Sequence, residues 1–165
     1  MSTIKNPATI ELNDIQSLLI RGHGQLPVCT FFLMQIREAR EVRAWLKTII
    51  QHVTPADHYD EEVSLNLAFT LKGLRALGLN EENLLNFPLA FREGMNSAYR
   101  QRILGDSGES APENWSWGGE GLEPHLLLAL YAADQKAMEK FRKLHLEYIE
   151  RHSLKVIYQL DGYRR

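Results

Sequence analysis

The run SLNLAFTLKGLRALG, residues 64–78, changes its hydrophobic period in the middle. In the first half Leu65, Leu67 and Phe69 alternate with Asn66, Ala68 and Thr70, which predicts a strand with one apolar face. From Thr70 onward Leu71, Leu74 and Leu77 fall three apart, on one side of a short helix. Thr70 suits the N-cap, and Gly78 suits the left-handed C-terminal position. A strand therefore runs into a helix with almost no loop.

Three more strands follow from the same reading. Residues 28–36 (VCTFFLMQI) are apolar on both faces, with Phe32, Met34 and Ile36 against Cys29, Phe31 and Leu33. Residues 125–133 (HLLLALYAA) are also doubly apolar. Residues 154–160 (LKVIYQL) alternate, placing Leu154, Val156, Tyr158 and Leu160 on one face. Two long helices are expected. Residues 38–53 carry the stripe Val42, Trp45, Leu46, Ile49, Ile50 and Val53. Residues 135–152 follow the cap Asp134, with Ala137, Met138, Phe141, Leu144, Tyr148 and Ile149 inward. Asn80-Glu81-Glu82 opens a further turn, and Pro88 starts a helix in which Phe91, Met95 and Tyr99 repeat down to Ile103. Residues 14–20 read as one helical turn or an extended arm.

Leaving aside the stretch at about 71–121, the order is strand, helix, strand, strand, helix, strand. That is a split βαβ, or ferredoxin-like, α+β arrangement: a four-stranded antiparallel sheet with two packed helices and a helical insertion between strands 2 and 3. Residues 1–26 form an N-terminal arm and residues 27–165 the domain. Two helices cover only one sheet face, so the other face of the doubly apolar central strands needs a cover. Either the inserted helices or a second sheet supplies it.

The chain's 165 residues suit one domain, long enough to bury a core. A net charge of −2 gives no bulk attraction to nucleic acid or an anionic membrane. No apolar run approaches the roughly 20 residues that span a bilayer, and the first residues lack a signal-peptide core, so a cytoplasmic setting is expected. The single cysteine, Cys29, excludes an internal disulfide framework and reads as a small core residue. The glycines beside His23 permit close backbone approach, although a plain turn explains them more simply. His52 and His58 lack the spacing of a metal pair. Residues 106–121 form one long loop, acidic and holding Trp115 and Trp117, which points to packing or partner docking ahead of ligand chemistry.

Several runs, taken in order, resemble the dye-decolourising (DyP-type) haem peroxidases. They are Asp14-Ile15-Gln16 with Arg21-Gly22-His23-Gly24, then Leu65-Asn66-Leu67-Ala68-Phe69-Thr70, Gly73-Leu74 and Ala76-Leu77-Gly78-Leu79. Phe87-Pro88 with Phe91, Gly94-Met95, Leu104-Gly105-Asp106, Ser110-Ala111-Pro112 and Trp115 continue the series. His125-Leu126-Leu127 and Tyr131-Ala132-Ala133-Asp134 complete it. The resemblance covers only the N-terminal half of that family, whose members pack two ferredoxin-like domains sheet against sheet. It implies haem-dependent, peroxide-driven oxidation for a complete protein. The family's GxxDG motif, proximal histidine and distal arginine belong to the other half. Asp161-Gly162 lacks the leading glycine and matches the turn before that motif, so no catalytic role passes to Asp161. No catalytic, cofactor-binding or metal-binding residue is assigned. The expected role is a structural domain, inactive alone, whose partner is a haem-containing C-terminal domain on the same or a separate chain. The alternative is a stand-alone non-catalytic module that dimerises through its sheet face and takes a partner or an apolar ligand.

Overall fold

Strands β1 (Val28–Ile36), β2 (Val63–Phe69), β3 (Leu126–Ala132) and β4 (Leu154–Tyr163) form one antiparallel sheet in the order β2-β3-β1-β4. The computed structural model describes residues 10–20, 22–58 and 60–164. The two doubly apolar strands are central and the two alternating strands are edges, as the ferredoxin-like reading requires. Residues 1–9 and Arg21, which belong to the expected arm, lie outside the described residues.

Helices α1 (Ala39–Ile49) and α6 (Gln135–Arg151) lie on the same sheet face. Phe32, Met34, Leu65, Leu126, Leu128 and Leu130 from the sheet meet Val42, Trp45 and Ile49 of α1 and Met138 and Ile149 of α6. All of these are buried, and their removal from water is the main stabilising term of the domain. Each long helix begins at an acidic N-cap: Glu38 accepts from the Arg40 N–H at 3.2 Å and Asp134 from the Ala137 N–H at 2.8 Å.

The insertion holds α2 (Leu71–Ala76), α3 (Glu81–Leu85), α4 (Leu89–Glu93) and α5 (Ala98–Leu104). Thr70 caps α2 by accepting from the Gly73 N–H at 3.1 Å, and Gly78 follows at φ 92°. Asn80 caps α3 in the same way, at 2.9 Å from the Asn83 N–H.

Four expectations are corrected. The helix expected over 38–53 ends at Ile49 and continues as the 3-10 turn Ile50–His52, which turns Ile50 outward to 68% exposure. The helix expected from Pro88 to Ile103 is two helices: Gly94, at φ 70°, ends α4, and Ser97 accepts from the Arg100 N–H to start α5. On α6, His145 is buried at 1% exposure whereas Leu144 is 43% exposed, so the helix is rotated from the apolar stripe. In β4 the register shifts opposite Leu33/Met34, leaving Ile157 without a partner in β1. This bulge puts Leu154 and Val156 on the helix side and Tyr158 and Leu160 on the opposite face.

Candidate functional site

The second sheet face is the main candidate surface. Cross-strand partners share a face, so Phe31, Leu33, Leu127, Tyr131, Tyr158 and Leu160 all point away from α1 and α6. Five of these are half-buried and Leu160 is 53% exposed. Residues 28–36 are therefore apolar on both faces but sealed on only one of them. The inserted helices do not close the other. They pack at the end of the sheet, where Gly73 meets the His125 backbone and the Gln35 side chain donates to the carbonyls of Gly121 and Glu123 at 3.0 and 3.1 Å.

The N-terminal arm covers the opposite end. His23 stacks on Tyr131 with ring centroids 4.3 Å apart and lies 2.9 Å from the Asn66 side-chain oxygen. Ser64, Asn66 and Ala129 are buried in this region. Gln16 binds the β2 edge: its amide nitrogen donates to the Leu67 carbonyl at 2.8 Å and its oxygen accepts from the Leu67 N–H at 2.7 Å. One side chain thus replaces a neighbouring strand and protects that edge from further pairing. Between these two ends the centre of the face is open.

Cys29, expected as a core residue, instead lies half-buried on this face against Gly162, outside the hydrophobic core; partial burial pushes its thiol up from the ordinary range. Burial likewise raises the Tyr131 phenol.

A haem ligand needs an imidazole nitrogen facing a cavity. His23 is engaged with Asn66 and Tyr131. His125 accepts the Ile36 N–H at Nδ1, 3.0 Å away, and burial, aided by the charge of Lys72, lowers its pKa. His152 Nδ1 lies 2.7 Å from the Tyr148 carbonyl. His52 and His58 lie at the surface. His145 leaves both ring nitrogens unpartnered, but it is sealed in the core against Phe141 and Tyr148. Burial, then the charge of His52, lowers its pKa to about 4. Of the described histidines, His23, His125 and His152 thus have a ring nitrogen held by a protein atom, and His145 is sealed in the core. Among the described residues, no group of three or more His, Cys, Asp or Glu side chains is arranged to hold a metal ion.

The acidic loop is ordered by local bonds. Trp115 Nε1 donates to the Ser110 carbonyl at 2.8 Å, and Asn96 Nδ2 donates to the Gly118 carbonyl at 2.9 Å. Glu123 pairs with Lys72; burial works to raise this carboxyl, and the Lys72 hydrogen bond and charge, with backbone donors, bring it below the usual range. Together the loop, α2 and α4 enclose a cavity of about 400 Å³.

A split βαβ sheet with one face sealed by helices and one left open has an apolar face on which a second sheet can pack. Residues 14–165 match the family model of the DyP dimeric alpha+beta barrel domain, and the chain belongs to that family. Three solved structures illustrate the fold. The DyP-type peroxidase of Anabaena sp. is 20% identical with a TM-score of 0.80, over 93% of this chain and 36% of that one. The fungal DyP-type peroxidase from Auricularia auricula-judae is 19% identical with a TM-score of 0.74, over 96% and 34%. A dye-decolorizing peroxidase whose heme pocket was engineered for asymmetric sulfoxidation is 19% identical with a TM-score of 0.71, over 94% and 34%. The chain thus spans about a third of the length of these relatives. No curated protein sequence matches it.

Proposed function

We propose that this chain is the N-terminal structural domain of a DyP-type haem peroxidase and is inactive on its own. The observation that carries the reading is the open face of Phe31, Leu33, Leu127, Tyr131, Tyr158 and Leu160, backed by a sheet whose other side is already filled. A second ferredoxin-like domain, which holds the haem, packs its own sheet on this face and completes the barrel. Residues 27–165 form the domain; the described part of the arm before them clasps β2 through Gln16 and caps the face with His23. The family description and the third of each relative's length that the chain spans support this reading.

A haemin titration followed at the Soret band, with a peroxide-dependent oxidation assay on the same sample, tests it. The expected result is no saturable one-to-one shift and no turnover. A stoichiometric shift with turnover overturns the proposal, because it places a working haem site within these residues.

The same open face favours a second reading, a face-to-face homodimer acting as a non-catalytic module. Sedimentation equilibrium separates the two: a dimer dispersed by Leu33→Asp supports self-pairing, and a monomer supports a different second domain.

A further inference from the structure

We propose that the cavity between α2, α4 and the Trp115–Gly118 turn binds a small planar aromatic carboxylate of the benzoate type, with the Arg92 guanidinium as its anion anchor. The volume, about 400 Å³, lies in the range of small-molecule sites. Phe91, Trp115, Trp117 and Met95 are among its lining residues. Trp117 is 44% exposed, so an indole stands at the surface beside the cavity with nothing packed over much of it. Aromatic faces set at a cavity favour a flat ring between them.

Charge decides what that ring carries. Lys72, Arg75, Arg92, Glu93 and Glu123 line the space. Lys72 is held by Glu123, and Arg75 by Glu81 at 2.6 Å. Glu93 lies 4.0 Å from Arg100. Arg92 is half-buried and has no such partner among the described residues; its Nε alone is shielded from solvent, and it makes no hydrogen bond. A buried guanidinium N–H without an acceptor is costly, and a carboxylate is the acceptor whose geometry matches the guanidinium fork. The lining therefore has one unanswered positive charge next to exposed π surface, and an aromatic acid satisfies both at once. The cavity lining shares none of the six apolar side chains that form the open sheet face.

Isothermal titration calorimetry of the chain with sodium benzoate, benzamide and sodium acetate tests the assignment, with tryptophan fluorescence as a second signal. Benzoate is expected to bind saturably at one site and quench part of the fluorescence. Benzamide, planar but uncharged, should bind about tenfold or more weakly, since hydrogen bonds to charged groups are the strong ones. Acetate, lacking the ring, should also bind more weakly. Arg92→Gln should abolish the preference for benzoate over benzamide with an unchanged thermal midpoint, and Trp117→Ala should weaken both ring compounds. The proposal is overturned by no saturable benzoate binding, by equal affinity for benzoate and benzamide in the unaltered chain, or by an unaltered preference in Arg92→Gln.

Discussion

Gly73 lies so close to His125 that a Cβ at position 73 would stand 1.8 Å from the His125 carbonyl oxygen. That carbonyl also accepts the Thr70 N–H at 3.0 Å, and the Thr70 hydroxyl donates to the Pro124 carbonyl at 2.7 Å. The first turn of α2 and the entry to β3 are thus locked backbone to backbone. The insertion leaves the sheet and returns to it at this joint.

Gly73→Ala should therefore destabilise the chain by at least about 1–3 kcal/mol, the usual cost of overpacking, because the clash is with backbone and no side chain can swing aside. A urea titration read by far-ultraviolet circular dichroism measures it. A midpoint equal to that of the unaltered chain would show that α2 and β3 are not held this closely.

His145 sets an acid limit on stability. Its pKa falls from the ordinary 6.5 to about 4 in the fold, because the ring is buried and lies near His52. The unfolded chain then binds the extra proton first. Stability is complete above about pH 6.5 and declines as pH falls toward 4, by about 3 kcal/mol in all at 1.36 kcal/mol per unit. His145→Leu should flatten that acid limb in thermal melts taken across the same range. An unchanged slope would assign the acid limit to other groups.

The two sheet faces should respond differently to charge. Phe32 is fully buried beneath the helices, and Phe32→Asp should cost more than about 4 kcal/mol or prevent folding. Phe31 lies on the open face, and Phe31→Asp in the isolated monomer should cost about 1–2 kcal/mol. Equal losses in thermal melts would mean that the open face is covered in solution.

Gln16 replaces a strand at the β2 edge with two hydrogen bonds to Leu67. Gln16→Ala should cost about 1–3 kcal/mol by leaving those backbone groups without their partners. Hydrogen exchange should speed up at the Leu67 amide, with the β3 amides little changed. Unchanged exchange at Leu67 would show that water or another group serves the edge equally well.

The alternation of residues 64–69 and the doubly apolar runs at 28–36 and 125–133 made the strands, their central or edge places and the ferredoxin-like order legible without coordinates. The caps at Thr70 and Asp134 were legible for the same reason, since both are local side-chain to backbone bonds. That the two long helices would leave the second face of the doubly apolar strands uncovered could also be read. His145 could not: a polar residue next to Leu144 gives no sign that the helix turns it inward. The arginine-anchored aromatic cavity was equally hidden, because Arg92 and Trp117 are distant in sequence and the loop read as packing or docking.

Period and capping are properties of neighbouring residues, and the chain carries them wherever it goes. Side-chain direction after an interruption is not such a property. The bulge in β4 reverses Tyr158 and Leu160 relative to Leu154 and Val156, and only pairing with β1 reveals it. Arg92 has no ion pair among the described residues, whereas Glu81, Glu93 and Glu123 are matched with Arg75, Arg100 and Lys72. The sequence by itself determined which segments become strands and helices and that one sheet face is surplus. The tertiary structure decided which apolar residues form that face and where an unanswered charge meets aromatic rings, because both depend on register and on distances between segments far apart in the chain.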